Sequence, residues 1–153
     1  MLGAIIGDIV GSIYEFDNIK TKDFKLFGPH ADNNPNYTMN GRDNSECFFT
    51  DDTVLTMAVA KWAMEDTSDL SDILSDFTFR YSNRGYGGMY TQWANSWDRQ
   101  PYNSFGNGSA MRVSSIPRLV PDYAAMLDKS KASAEVTHSH PEGIKGAQAT
   151  ALS

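Results

Sequence analysis

Hydrophobic residues recur at helical spacing in several long stretches of the chain. Residues 54–64 are apolar on nearly every side of a helix, which predicts a helix buried at the centre of the molecule. Residues 71–81 are apolar on one face only, and predict an amphipathic helix that follows a polar turn at 66–68. No long stretch alternates between apolar and polar residues as a strand does, so the pattern predicts an all-α protein.

A stripe of glycines marks the amino-terminal helix that residues 2–16 predict. Gly3, Gly7 and Gly11 recur every four residues and share one helical face, which lets another backbone approach closely. Each glycine costs a helix roughly 1 kcal/mol relative to alanine, so the stripe indicates a packing or ligand-binding reason. Glu15 follows one turn later on the same face, where a ligand or partner can approach; a solvated helix end is the alternative interpretation.

An oxygen-rich cluster stands at the start of the central helix. Residues 17–47 are polar and rich in Asn, Gly and Pro, which predicts a long surface loop leading to this point. Thr50, Asp51 and Asp52 then place a hydroxyl and two carboxylates in one turn beside free backbone N–H groups. An ordinary helix cap explains the cluster, with the acids facing the helix dipole. The same oxygens also suit a hard cation such as Mg²⁺, so both interpretations stay open.

A glycine-rich loop at 84–88 separates two helical patterns. Gly85, Gly87 and Gly88 remove side chains from a stretch of backbone, so a ligand can touch it. The aromatic residues of the next pattern, at 89–97, are interpreted as core; they are Tyr90, Trp93 and Trp97. The loop, and not the aromatic residues, is therefore the candidate binding surface.

A second candidate binding segment is 101–112. Gly-Asn-Gly at 106–108 predicts a tight turn, and Ser109 is a suitable N-cap for a helix over 110–116 that residues 117–121 close. Free N–H groups at such a helix start bind anions, so a phosphate or pyrophosphate would fit there. A turn and cap without any ligand is an equally good interpretation.

Two more helices, at 123–136 and 141–153, complete the pattern. Pro141 and Glu142 suit the first turn of the second helix, which has no terminating cap and predicts that the sequence stops inside a helix. The apolar side of the first helix is expected to consist of Ala124, Ala125, Leu127, Ala132 and Val136.

Two histidines lie between these helices. His138 and His140 do not share a helical face, so a zinc site is poorly supported without a third ligand. Their simplest roles are a cap on the end of the preceding helix for His138 and exposure to solvent for His140.

Length and composition limit the class of protein. The 153 residues, 41% of them hydrophobic, predict a single domain, and the net charge of −6 argues against nucleic acid as a partner. The lone Cys47 has no disulfide partner, which favours a reducing cytoplasm. The apolar start of the chain is interrupted by Asp8 and Glu15, so neither a signal peptide nor a membrane helix is expected.

Five segments together resemble the ADP-ribosylglycohydrolase family. In chain order they are GAIIGDIVGSIYEF, FFTDDTVLTMAVA, RGYGGMY, PYNSFGNGSAMRV and THSHPEGIKGAQATA. The resemblance implies a compact orthogonal bundle of helices and a metal-dependent hydrolase that removes ADP-ribose from proteins or cleaves related O-linked ADP-ribose. The implied partners are therefore ADP-ribose or an ADP-ribosylated protein.

The resemblance also implies roles for individual residues. Thr50, Asp51 and Asp52 match a motif that helps to hold a pair of Mg²⁺ ions, with Ca²⁺ or Mn²⁺ as alternatives. Glu15 matches an acidic residue beside the metals that serves as general base or orients water, so Glu15, Asp51 and Asp52 are the catalytic candidates. The implied walls of the pyrophosphate and distal ribose site, together with a histidine near ADP-ribose, are Gly85, Gly87, Met89, Asn103, Ser104, Phe105, Gly106, Asn107, Gly108 and His138.

One family motif has no counterpart in this sequence. The family's second metal motif resembles Asp-x-Asp-Asp-Thr and lies near the carboxyl end, whereas the only Asp residues after Asp98 are the isolated Asp122 and Asp128. We therefore expect residues 1–153 to form a partial domain, equivalent to the amino-terminal portion of the fold. Two alternatives follow, a non-catalytic ADP-ribose-binding module and an inactive fragment that needs a complementary chain. The linkage that is cleaved and the oligomeric state are left open.

Overall fold

Seven α-helices dominate the part of the chain that the structure describes. This structure is a computed structural model, and it describes residues 1–15, 22, 24, 26–27, 38–39, 42–43, 47–65 and 69–153. The α-helices are α1 (Leu2–Gly11), α2 (Asp51–Met64), α3 (Leu70–Arg80), α4 (Gly88–Ala94), α5 (Ile116–Leu119), α6 (Tyr123–Glu135) and α7 (Pro141–Leu152), and a single 3₁₀ turn covers Asn107–Ser109. The predicted all-α class is confirmed.

A two-residue hairpin lies in the segment between α1 and α2. Strands β1 (Thr38–Met39) and β2 (Arg42–Asp43) pair antiparallel, with Thr38 opposite Asp43. Most of the loop predicted at 17–47, and the polar turn predicted at 66–68, fall outside the described residues. Among the described residues no helix is long and apolar enough to cross a lipid bilayer.

Helix α2 is central, as its apolar pattern predicts. It packs against α1, α3 and α5, and the buried residues on several of its faces are Val54, Leu55, Thr56, Ala58, Val59 and Ala60. Its first residue, Asp51, is joined to the glycine-rich loop because the Asp51 N–H donates to the Arg84 carbonyl (2.8 Å). The buried centre of the molecule therefore fixes the start of α2 and this loop relative to one another.

Side-chain caps define the starts of three other helices. Asp69 caps α3 by accepting from the Ser71 N–H, and Asp122 caps α6 in the same way from the Ala125 N–H. His140 caps α7 through Nδ1, which accepts from the Glu142 N–H at 3.1 Å. The boundaries predicted for α3, α6 and α7 are correct to within a residue or two, but the expectation that His140 is merely exposed is wrong.

The helix predicted over 110–116 is absent. Residues 110–115 form turns, and α5 begins only at Ile116 with Pro117 in its first turn, where a residue without an N–H is tolerated. The Ser109 hydroxyl, expected to cap this helix, instead donates to the Gly143 carbonyl at 2.8 Å. The run Val113-Ser114-Ser115 has low helix propensity, which explains why an apparently periodic segment turns instead.

Two other burial predictions are wrong in part. Tyr90 and Trp93 belong to the core as expected, but Trp97 follows the end of α4 and is fully exposed. Helix α6 buries Met126, Ser130, Ser133 and Ala134. Of its predicted face, Ala124 and Ala125 are exposed, whereas Leu127 and Val136 are partly buried and pack against the core. Most of the residues on the buried face of α6 are small, so α7 can pack closely against it.

Candidate functional site

The start of α2 is built by residues that are far apart in sequence. The Thr50 hydroxyl accepts from the Asp52 N–H at 3.3 Å and donates to the Asp8 carboxylate at 2.6 Å. Asp8, from α1, also accepts from the backbone N–H groups of Thr50 (2.9 Å) and Thr53 (3.2 Å), and from the Thr53 hydroxyl. The ordinary cap proposed for Thr50 is therefore present, and Asp8 joins α1 to it.

Asp8 has a structural role that the sequence analysis missed. It was considered only as a charge that interrupts an apolar run, yet it satisfies donors at the start of a helix 42 positions later. The available signal was a carboxylate within an otherwise apolar helix, which requires a polar partner.

Three carboxylates next to this cap repel one another. Burial, followed by the charges of Asp52 and Glu15, raises the pKa of Asp51 to about 7. Burial and the Asp8 charge raise the pKa of Asp52, and burial with the charges of Asp52 and Asp8 raises that of Glu15. Within the described residues no Lys or Arg forms an ion pair with any of them. We call Glu15, Asp51 and Asp52 the acidic wall.

The donor chemistry of the acidic wall fits a hard divalent cation. Carboxylate oxygens are the ligands that Mg²⁺ prefers, and a cation would relieve the repulsion that raises these pKa values. No group of three or more Asp, Glu, His or Cys side chains in the described residues is arranged to hold a metal ion. The Thr50 hydroxyl, which is fully buried, already donates once and accepts once, leaving one lone pair for a ligand.

The acidic wall faces a cavity of about 560 Å³. Most of the predicted binding residues line the same cavity, namely Gly85, Gly87, Met89, Ser104, Asn107, Gly108 and His138. Gly85 has a φ of 92°, a left-handed conformation that favours glycine, so this turn of the loop requires it. The fold thus brings three separate predicted segments to one cavity.

Three predicted binding residues are not among those that line this cavity. Phe105 is largely exposed and its ring contacts the His140 ring, with centroids 5.4 Å apart. Asn103 adopts a positive φ of 53°, and the Gly106 N–H donates to the Ser104 hydroxyl at 3.2 Å. The predicted role of these three residues in binding is untested.

Several residues that line the cavity are not predicted by the sequence. Tyr90 lines it in addition to belonging to the predicted core, and the others are Leu55, Tyr102, Met111 and Arg112. Arg112 is completely buried, and its Nη2 donates to the Ser133 carbonyl and to the Thr137 hydroxyl (2.9 Å). A basic residue at the end of the glycine-containing segment was the available signal.

A second, shallower cavity of about 420 Å³ shares Glu15, Asp52 and Asn107 with the first. Gly7 and Gly11 of α1 line it, and a Cβ atom at either position would meet no described atom within 4 Å. The predicted close approach of another backbone to the glycine stripe is therefore not found among the described residues. Near the acidic wall these glycines leave open space.

His138 lines the larger cavity and has several close neighbours. Its Nδ1 lies 2.7 Å from the Thr137 hydroxyl, and its ring centroid lies 5.9 Å from that of Tyr102. A Cβ atom added at Gly108 would lie 2.8 Å from His138 Cε1, and one at Gly143 would lie 3.0 Å from His138 Cβ. We call Arg112, Thr137, His138 and the turn at 106–108 the histidine wall.

Burial controls the charge of the histidine wall. Desolvation, reinforced by the nearby Arg112 charge, lowers the pKa of His138 to about 4, so the ring is neutral at pH 7. Burial lowers the pKa of Arg112 to about 10, which leaves it protonated at pH 7. His138 does not cap α6 through its side chain as suggested, because its Nδ1 pairs with Thr137.

Known proteins resemble the chain along its whole length. The family model described as ADP-ribosylglycohydrolase matches residues 1–153. Proteins named ADP-ribosylhydrolase ARH3 from Xenopus tropicalis, Homo sapiens and Mus musculus are 29%, 29% and 27% identical to it over 99% of this chain. The chain spans about half the length of these relatives, 47%, 47% and 46% respectively.

Proposed function

The chain belongs to the ADP-ribosylglycohydrolase family, and we propose that it forms part of a metal-dependent hydrolase acting on the glycosidic bond between ADP-ribose and a protein side chain or another acceptor. One observation carries the proposal: the acidic wall and the histidine wall line the same 560 Å³ cavity. A cavity of this size accommodates a nucleotide-sized ligand. ADP-ribose, with a diphosphate and a distal ribose, has groups suited to both walls.

Asp51 and Asp52, with Thr50 beside them, would hold Mg²⁺ or the similar Mn²⁺. Fewer than three acidic or imidazole ligands are arranged together in the described residues. Mg²⁺ tolerates this because it keeps several waters and is commonly bound through one or two carboxylates. When bound, the cation supplies a Lewis acid that orients ribose hydroxyls and polarises water.

Glu15 is suited to accept a proton from the attacking water. Its raised pKa, caused by burial and by the Asp52 and Asp8 charges, makes it a stronger base than an ordinary glutamate. It lines both cavities, so it lies where the glycine face of α1 leaves space next to the larger site. We assign Glu15 the role of general base or water-orienting group.

The diphosphate would lie along surfaces that offer N–H donors. The loop at Gly85 to Gly88 and the turn at 106–108 expose backbone with little side-chain cover. The net charge of −6 argues against a generally basic surface, so neutral backbone N–H groups are the proposed partners for the diphosphate.

Calorimetric titration of ADP-ribose into the protein at its natural length tests this proposal. Binding strengthened by Mg²⁺ and lost in Asp51→Ala and Asp52→Ala supports it, and hydrolysis of an ADP-ribosylated protein is then measured with the same variants. Asp128→Ala, at an exposed position of α6, is the matched control and is expected to behave as wild type. A folded protein that neither binds ADP-ribose nor releases it from a substrate contradicts the proposal.

A second candidate function is an ADP-ribose-binding module without catalysis. The contrast between the walls favours it: the histidine wall is built, whereas no metal-holding group of three is found in the described residues. The same titration separates the two functions. Binding that ignores both Mg²⁺ and Asp51→Ala, without hydrolysis, supports the module.

A further inference from the structure

Arg112 presents a charge in an unusual setting. Its guanidinium is completely buried, yet its hydrogen-bond partners in the described residues are a carbonyl and a hydroxyl and include no carboxylate. Its Nε and Nη1 atoms are buried without a partner among the described residues. A buried cation of this kind is unfavourable for stability, so its presence indicates a role beyond holding the fold.

The hydroxyl of Thr137 links this cation to His138. A guanidinium can only donate, so the Thr137 oxygen must accept from Arg112 Nη2 at 2.9 Å. The single hydroxyl proton is then free to donate, and His138 Nδ1 at 2.7 Å is the acceptor that the described residues offer it. A buried hydroxyl donates where it can, so Nδ1 is the unprotonated nitrogen of the ring.

The other ring nitrogen, Nε2, lies next to the turn at 106–108. Nε2 has no hydrogen-bond partner in the described residues, and a Cβ atom at Gly108 would lie 3.0 Å from it. His138 lines the cavity together with Gly108 and Ser104. Nε2 therefore lies beside the Gly108 backbone, and the Tyr102 ring packs against the same imidazole.

We infer that Arg112 and Thr137 are positioning residues that hold His138 as the Nε2–H tautomer, so that it donates a hydrogen bond to an acceptor oxygen of the ligand. The ligand's identity as ADP-ribose rests on the proposed function, whereas the tautomer does not. The neutral state of the ring, which burial next to Arg112 favours, is the state in which the tautomer matters. Because the Thr137 hydroxyl accepts from the buried guanidinium, it donates to His138, and this determines which ring nitrogen carries the proton.

The tautomer is measured directly in the ligand-free protein at pH 7 by long-range ¹H–¹⁵N correlation spectra of the imidazole rings. The chain has three histidines, and the spectrum of His138→Gln identifies the signals of His138. We expect wild-type His138 to carry its proton on Nε2 alone. A proton on Nδ1, or a charged ring at pH 7, overturns the inference without any need for a Thr137 variant.

Thr137→Val and Thr137→Ser provide a matched pair. Valine has nearly the shape of threonine but no hydroxyl, so we expect the Nε2–H form to give way to a mixture of tautomers. Serine keeps the hydroxyl and should restore the wild-type spectrum. Unchanged tautomer populations in a folded Thr137→Val protein overturn the inference.

Affinity for ADP-ribose then tests what the tautomer does. Loss of one directed hydrogen bond predicts binding roughly tenfold weaker in Thr137→Val, with Thr137→Ser within about twofold of wild type. A changed tautomer with unchanged affinity overturns the positioning role. If wild-type protein does not bind ADP-ribose at all, the proposed function fails, while the spectra still decide the hydrogen-bond chain.

Discussion

The acidic wall and the histidine wall both contribute residues to one cavity but differ in how their charges are balanced. The pKa of Asp51 is raised to about 7 because its carboxylate is buried among like charges. The pKa of His138 is lowered to about 4, so that its ring is neutral and hydrogen-bonded to Thr137. The first wall is short of positive charge, whereas the second contains the buried cation of Arg112.

This difference separates two tasks of a binding site. A hydrogen-bonded side chain such as His138 is held in place before a ligand arrives, which reduces the entropy lost on binding. The repelling carboxylates of the acidic wall would instead be stabilised by the cation that we propose. The two walls should therefore respond in opposite ways to changes in charge, and the predictions below test this.

Removal of one acidic charge should have the largest effect. Asp51→Asn is expected to reduce the proposed hydrolysis by roughly 10²-fold or more, because it weakens the hold on the cation. The same change should stabilise the metal-free protein at pH 8, since the buried repulsion that raises the Asp51 pKa disappears. Activity assays and urea unfolding with and without Mg²⁺ measure both effects. A variant that is less stable than wild type without metal contradicts this account.

The pH dependence of stability should contain opposite contributions from the two walls. Asp51 has a folded pKa near 7 and an ordinary value of 3.8, so the folded protein binds the extra proton and its stability rises as pH falls through this window. His138 has a folded pKa near 4 and an ordinary value of 6.5, so the unfolded chain binds the proton and stability falls as pH falls. In the metal-free wild-type protein the two contributions oppose each other.

Single substitutions should separate the two contributions to the pH dependence of the unfolding free energy. Asp51→Asn leaves the His138 contribution, and its unfolding free energy should drop by on the order of 6 kcal/mol between pH 7 and pH 4 relative to His138→Gln, with roughly half of this difference from each group. His138→Gln leaves the Asp51 contribution and should show the opposite slope. Urea unfolding across this range, without divalent cations, makes the measurement. If the unfolding free energies of the two variants change with pH in the same direction and to the same extent, the contrast between the walls is wrong.

The sequence predicts helices better than it predicts the walls. The starts of α2, α3 and α7 follow from local rules, because a cap and the first apolar turn are neighbours in the chain. The function of Asp8 depends on donors 42 positions away, and that of Arg112 on a hydroxyl 25 positions away. Periodicity contains no information about such distant partners.

Errors about burial have the same origin. Trp97 was assigned to the core by its spacing, but α4 ends before it and nothing covers it among the described residues. The hydrophobic pattern does not identify the buried face of α6, because that face contains Ser130 and Ser133. These side chains are polar, but they are small enough to pack against a neighbouring helix. By contrast, family resemblance grouped residues of both walls that local patterns could not connect.

The histidine wall depends on the absence of a side chain at Gly143 in the first turn of α7. A Cβ atom there would lie 2.7 Å from the Ser104 carbonyl and 3.1 Å from the His138 carbonyl, so backbone would have to shift. We expect Gly143→Ala to destabilise the protein by about 2–3 kcal/mol. Gly146 is the matched control in the same helix, because its Cβ atom would meet only Ala110 Cβ at 3.9 Å.

Gly146→Ala should therefore stabilise the protein by roughly 0.5–1 kcal/mol through helix propensity. Thermal and urea unfolding compare the two variants directly. Equal effects of the two substitutions would mean that helix propensity, and not contact with the histidine wall, governs this helix.

Gly108→Ala should destabilise the protein less than Gly143→Ala but should act directly on His138. The added Cβ atom would lie 2.8 Å from Cε1 and 3.0 Å from Nε2, so the ring has to shift, and we expect this shift to weaken its hydrogen bond to Thr137. We expect a loss of about 1–2 kcal/mol in stability and weaker binding of ADP-ribose. Gly106→Ala is the control, since its Cβ atom would meet Ser104 Oγ at 3.4 Å and His138 Nε2 at 3.8 Å, both ordinary contacts. If Gly108→Ala leaves the His138 imidazole signals and the affinity unchanged, the ring is not held by this turn, and the histidine wall is less rigid than its contacts indicate.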